Sequence, residues 1–322
     1  MSKPKKIIWI DDNPQRRRTA EDVGATFFNV RNQDLATTIE KLLAKAPPSL
    51  VIIDHVLDKT ATKNPLFQRG STIAEALKEK WPSCPVVGVT NIGQIDHVDQ
   101  RTRHTYDLFV PFDRFANYLE RIESITNGFA VIGKKPPARS SEIFKLLKAP
   151  AHEFDRLLAA LPEYLYDAEL DASMASRLNK WVGHLMERPG FLYDDLWSAT
   201  FLGLNMVGFR KVEELFLKAR YKGLFSTDGS PRWWTNQLKE LLYKISPPNA
   251  GGYSWNAGRT LPGIIDRRHY SQCFVCDDDF PETVANIDSR SDVRHAMHLK
   301  HTILHPDFRR ELYFEDMRIL KD

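Results

Sequence analysis

Short runs of branched apolar residues alternate with amphipathic segments through the first third of the chain. Residues 6–10, 26–30, 50–53, 85–90 and 108–110 read as strands, and 50–53, apolar at every position, reads as buried on both faces. Between them, residues 14–23, 34–44 and 71–80 carry helical spacing, with Leu35, Ile39, Leu42 and Leu43 in the second and Ile73, Ala76 and Leu77 in the third. A last helix over 114–126 sets Phe115, Leu119, Ile122 and Ile125 near one face and leaves Gly128 as its C-cap. Strands separated by helices of this length predict an α/β fold: a doubly wound, parallel, five-stranded sheet.

Two prolines, charge and small polar residues mark 133–141 as a linker, which divides the chain into a first domain over 1–132 and a second over 142–322. The pattern beyond the linker is mostly α-helical, as with Phe154, Leu157, Leu158 and Leu161, or Val212, Leu215, Phe216 and Ala219. A Gly/Pro/Asn-rich stretch at 247–252 then opens a less regular tail. The 322 residues, 42% of them hydrophobic, suffice for two domains with cores of their own.

Charge narrows the range of partners. Lys+Arg 45 against Asp+Glu 42 leaves +3, too little for the broad electrostatic footprint of a general nucleic-acid or membrane binder. Arg210, Lys211, Lys218, Arg220 and Lys222 gather near Tyr221, a mixture that suits nucleic acid, but a solvated helix face explains it better. The longest uncharged apolar run, 196–209, is shorter than the roughly 20 residues of a spanning helix, so no membrane partner is expected. Three cysteines and no signal-peptide pattern point to a reducing cytoplasm.

The chemistry lies at the strand ends. Asp11 and Asp12 follow the first strand, Asp54 the central one and Thr90 the next, and ligands of open parallel sheets gather outside these carboxyl ends. Three converging carboxylates repel each other unless a divalent cation joins them, and hard oxygen ligands favour Mg²⁺. A hydroxyl at Thr90 then steadies an oxyanion carried on Asp54, the layout of an aspartyl-phosphate site.

Ile-Trp-Ile-Asp-Asp-Asn at 8–13, Val-Ile-Ile-Asp at 51–54, Val-Val-Gly-Val-Thr at 86–90 and Asp-Leu-Phe-Val-Pro-Phe at 107–112 make residues 5 to about 127 resemble the receiver domain of two-component response regulators. The resemblance implies Mg²⁺ at Asp11, Asp12 and Asp54, phosphorylation of Asp54 by a histidine kinase or other phosphodonor, and phosphate sensing by Thr90. It further implies an output or interaction role, with a protein partner, for the C-terminal domain, which resembles no family. The rival reading is a phosphorylation-independent pseudo-receiver serving as an interaction scaffold.

Three departures from the family's pattern stand out. Val110 replaces the lysine that precedes the family's proline, and residues 55–69 form a longer connection whose Lys59, Lys63 and Arg69 are candidate substitutes for its charge. Asp107 stands at the family's aromatic switch position. The resemblance also implies a cis bond between Val110 and Pro111.

In the second domain, Cys273-Phe-Val-Cys276 has the two-residue spacing of a Zn²⁺ grip, with His295, His298, His301 and His305 downstream in a predicted helix. Helical geometry puts His301 and His305, at i and i+4, on one face, so Cys273, Cys276, His301 and His305 form the candidate zinc set, against the alternative of buried cysteines in a strand. A zinc-binding or nucleic-acid-binding effector is therefore a third reading of this half.

Overall fold

A computed structural model describes residues 6–61, 68–91, 98–166, 173–188, 190–248, 250, 252–264, 266–285, 294–304 and 318–320. The chain divides into two compact units, one formed by Met1–Ile143 with Leu161–Trp181, the other by Phe144–Ala160 with Val182–Asp322.

The first unit holds five parallel strands, β1 (Ile7–Asp11), β2 (Ala25–Asn29), β3 (Leu50–Asp54), β4 (Val86–Thr90) and β5 (Leu108–Pro111), in the order β2-β1-β3-β4-β5. This is the doubly wound order whose reversal between β1 and β3 opens a crevice at the carboxyl edge. Side chains alternate across the sheet with period two. Ile8, Ile10, Val51 and Ile53 face α2 (Leu35–Leu43) and α3 (Gly70–Lys80) through Ile39, Leu42, Ile73 and Leu77. Trp9, Leu50, Ile52, Val87 and Val89 face the other way, against Ala20 of α1 (Arg17–Asp22) and Phe115 and Ile122 of the last helical stretch. Each branched side chain withdrawn from water here stabilises the fold by about 1.5–3 kcal/mol.

That last stretch differs from the sequence expectation. It begins as a 3₁₀ turn at Phe112–Tyr118 and continues as a helix over Leu119–Lys134, with a further short helix α4 (Gln100–His104) ahead of β5. We label the Leu119–Lys134 helix α5. Gly128 lies buried inside α5 and does not cap it, because Phe129 and Ile132 carry the buried face onward for another turn.

The second unit is mainly helical around Trp197, Phe209, Phe216, Trp233, Leu238 and Leu242. Phe209 and Trp233 meet edge to face at 5.5 Å, a geometry favoured by their ring quadrupoles. Two-residue strands β6 (Leu192–Tyr193) and β7 (Trp233–Trp234) pair antiparallel across this core. Further along, β8 (Thr283–Ala285) and β9 (Ala296–His298) form another antiparallel pair. No helix among the described residues is long and apolar enough to cross a membrane.

Candidate functional site

Parallel register brings the acids to one edge: Asp11 pairs with Asn29 at the end of β1, Asp54 with Val89 at the end of β3, and Thr90 with Pro111 at the end of β4. One oxygen from each of Asp11, Asp12 and Asp54 lies within 4.8 Å of the others. All three residues are buried, at 0%, 3% and 6% exposure, as is Thr90 at 0%. Charges so placed are costly unless they are paired or joined by a cation.

The local turn positions the first two. Asn13 caps the 3₁₀ turn Pro14–Arg16 by accepting the Gln15 N–H, with proline at the first turn position where a missing donor costs nothing. The Asn13 N–H donates to Asp11 Oδ1 at 2.8 Å and the Trp9 indole to Asp11 Oδ2 at 3.1 Å. Lys59 donates its backbone N–H to Asp12 Oδ2 at 2.7 Å while its side chain stays exposed.

Among the described residues, the cation of this site is Arg16. Its Nη1 stands 3.1 Å from Asp11 Oδ2 and 3.0 Å from Asp54 Oδ1, its Nη2 donates to Asn91 Oδ1 at 2.8 Å, and its guanidinium carbon lies 4.3 Å over the Phe112 ring. Of the substitutes expected for the lost lysine, Lys59 contributes its backbone N–H with its side chain exposed, Arg69 is exposed ahead of α3, and Lys63 lies outside the described residues. Arg16 escapes notice in the sequence because the 3₁₀ turn, and not an uninterrupted helix from Pro14, sends its side chain back over Asp11.

Burial is the leading influence on the Asp54 and Asp12 carboxyls. It pushes Asp54 up to about 7, helped by neighbouring Asp11 and opposed by Arg16. Asp12 is raised for the same first reason, against the pull of the Lys59 N–H. The Arg16 guanidinium itself loses hydration, and Asp54 and Asp11 more than compensate, holding it charged.

Around this centre the site departs further from expectation. Val110 is fully buried with Val87, Val89 and Phe115. No peptide bond among the described residues is cis, so Val110–Pro111 is trans: β5 runs straight through Pro111 in register with Thr90, with no lysine side chain to be turned into the site. Asp107 is a structural anchor, accepting from Val86 N–H at 2.8 Å, Lys78 Nζ at 3.0 Å and the Ser176 hydroxyl at 2.5 Å. Tyr106, one position earlier, is buried, and its hydroxyl lies 3.1 Å from Nδ1 of buried His55.

Gly70 opens α3 directly against β3. A Cβ there would stand 2.2 Å from the Asp54 carbonyl oxygen and 2.9 Å from Ile53 Cγ2, so only glycine lets the helix approach Asp54 this closely. Gly70→Ala is expected to cost about 1–3 kcal/mol through overpacking, measured by denaturant unfolding, and to be worse than Gly24→Ser, which meets no neighbour within 4 Å and is strained only by its φ of 72°.

Among the described residues, the cysteine-histidine cluster joins His298 to Cys273, Cys276 and His301 of the candidate set. Cys273, Cys276, His298 and His301 each offer a ligand atom within 4.8 Å of the rest. Residues 296–304 are not a helix: β9 ends at His298, a 3₁₀ turn spans Leu299–His301, and a strand begins at Thr302. The face-sharing argument for His301 and His305 therefore fails, and His305 lies outside the described residues. His298 joins the cluster because a strand end, not a helix face, delivers it. Desolvation raises the Cys273 thiol, but hydrogen bonds from His298 N–H, the His301 ring and the turn's own amides outweigh it and bring the group down to about 7.

Fold and carboxylate cluster together make the first unit a receiver-like α/β domain with an acidic site at the carboxyl edge of its sheet. No family model and no curated protein matches the sequence. Among solved structures, the receiver domain of NtrX from Brucella abortus is similar at 20% identity, over 36% of this chain and 97% of that one, with a TM-score of 0.29. TrrA from Thermotoga maritima, a response regulator determined with Mg²⁺ and BeF, is similar at 16% identity, over 37% of this chain and 98% of that one, with a TM-score of 0.28. An adenylate cyclase from Rhodopirellula baltica is similar at 10% identity, over 41% of this chain and 93% of that one, with a TM-score of 0.33.

Proposed function

We propose that the first unit is a phosphoacceptor module of a signalling protein, taking a phosphoryl group on Asp54 from a histidine kinase or a small phosphodonor. The observation that carries this reading is the buried set of Asp11, Asp12 and Asp54 with Arg16 Nη1 3.0 Å from the acceptor carboxylate. Asp54 attacks the donor's phosphorus, an acyl phosphate bond forms, and the donor's P–N or P–O bond breaks with its electrons leaving on the donor. Hard oxygens from the three aspartates suit Mg²⁺, which when bound offsets the charge of carboxylates and phosphoryl oxygens. Arg16 takes the place of the family's lysine: it is always charged, presents several donors in a fixed plane, and is already seated on Asp54. Thr90, at the neighbouring strand end, is the hydroxyl that would meet the phosphoryl group. A phosphoryl group adds roughly −1.5 to −2 of charge, which would draw Arg16 off Asp11 and Asn91 and so change the turn that carries it.

One observation favours a second reading. Arg16 already pairs with Asp11 and Asp54, and a site neutralised by its own cation suits a pseudo-receiver that binds partners without phosphate. Incubation with Mg²⁺ and acetyl phosphate followed by intact-mass measurement separates the two. The phosphoacceptor reading expects one added phosphoryl group in wild type and none in Asp54→Asn. No addition in either, at saturating Mg²⁺, would leave the scaffold reading.

A further inference from the structure

We infer that the second unit carries a structural zinc ion, held by Cys273 and Cys276 through sulfur and by His298 and His301 through Nδ1. Cys273–Cys276 lies in a tight reversal: the Asp277 N–H donates to the Cys273 carbonyl at 2.8 Å, the Cys273 N–H donates to the Asp278 carbonyl at 3.0 Å, and Asp277 takes the left-handed φ of 55°. The Phe274 N–H donates to the Ala296 carbonyl at 2.9 Å, tying this turn to the start of β9. β9 then delivers His298 to the sulfurs, and the single 3₁₀ turn after it delivers His301.

The distances suit one small ion at the centre. Cys273 Sγ lies 3.2 Å from His301 Nδ1, and Cys276 Sγ lies 3.4 Å from His298 Nδ1. Tetrahedral zinc, with bonds of about 2.3 Å to sulfur and about 2.0–2.1 Å to nitrogen, spaces such ligands by roughly 3.3–3.8 Å. Two further contacts prepare the ligands. His298 Nε2 stands 3.1 Å from the Phe280 carbonyl, so Nε2 keeps the proton and Nδ1 presents its lone pair, the arrangement by which outer partners orient metal-bound histidines. The His298 N–H points to Cys273 Sγ at 3.3 Å, a bond that favours the thiolate. None of the three cysteines is in a disulfide, leaving both thiols available.

Soft sulfur with imidazole selects zinc over the magnesium suited to the aspartate site. Four protein ligands fill a tetrahedron and leave no position for water or substrate, which makes the site structural rather than catalytic. Its task follows from what it joins. The segment rests on β8 and β9, three residues each, and the ion would clamp their far end to the 273–276 turn. The inference is independent of any phosphorylation of Asp54.

Metal analysis of the full-length protein, grown with zinc and desalted, is expected to give about one zinc per chain. Replacement by Co²⁺ should give the intense visible bands of tetrahedral thiolate coordination, a readout that needs no variant. Cys276→Ser, at an exposed position, and His298→Asn should each lose the bands and most of the zinc, whereas His305→Asn and His295→Asn should keep both. Absence of zinc and of a tetrahedral Co²⁺ spectrum in the wild type would overturn the proposal. Retention of metal in His298→Asn with its loss in His305→Asn would overturn the ligand set.

Discussion

Arg16→Ala is expected to lower the stability of the receiver-like unit by about 3–5 kcal/mol, the cost of removing one partner from a buried charge pair. The side chain is nearly inaccessible and serves two carboxylates at 3.1 and 3.0 Å, so its loss leaves Asp11 and Asp54 facing each other without this positive partner. Lost contact with the Phe112 ring adds to the effect. Magnesium should then matter more to the variant than to the wild type. A cation that binds only the folded state stabilises it by about 2.7 kcal/mol at a hundred times its dissociation constant. Unfolding curves of both proteins, with chelator and with millimolar Mg²⁺, check this. A loss under 1 kcal/mol, or a loss that Mg²⁺ leaves untouched, would mean that the acids are reconciled by something other than a cation.

Asp54→Asn should change how the metal-free protein responds to pH. Burial, and after it Asp11, raise the Asp54 carboxyl to about 7 in the folded chain, while the unfolded chain titrates it near the ordinary value of about 3.9. The folded state thus holds this proton more tightly, and the associated stability is complete below about pH 4 and lost as pH rises through 7. Asparagine carries no proton to lose. Relative to wild type, the variant should therefore gain about 2–3 kcal/mol between pH 5 and pH 8, read from urea unfolding in the presence of chelator. Parallel pH profiles would show that Asp54 is ionised throughout this range and that Arg16 outweighs its burial.

The parallel sheet and its acidic edge were legible because both rest on local pattern. Apolar runs such as 50–53 announce strands buried on both faces, and an aspartate directly after such a run can lie only at the sheet's carboxyl edge. What remained hidden depends on how short irregular turns aim a side chain. Arg16 lies within a span whose spacing reads as one helix, yet Asn13 and Pro14 begin a 3₁₀ turn that returns the guanidinium to the acids. His298 belongs to a strand that periodicity over three residues is too short to reveal. The family's geometry predicts a cis Val110–Pro111 bond, whereas the buried valine lets β5 continue in the ordinary trans form. Gly128 shows the opposite failure, since a residue that commonly ends helices is carried inside one by the apolar positions beyond it.

Fluorine NMR of the protein with beryllofluoride and Mg²⁺ reads the acceptor site itself, because this phosphoryl mimic attaches to an acceptor aspartate only where carboxylate, cation and oxyanion donors are arranged together. A phosphoacceptor Asp54 should give bound fluorine resonances in wild type, dependent on Mg²⁺, absent in Asp54→Asn and weakened in Arg16→Ala. A wild-type spectrum containing only free beryllofluoride at saturating Mg²⁺, from protein shown to be folded, would contradict it.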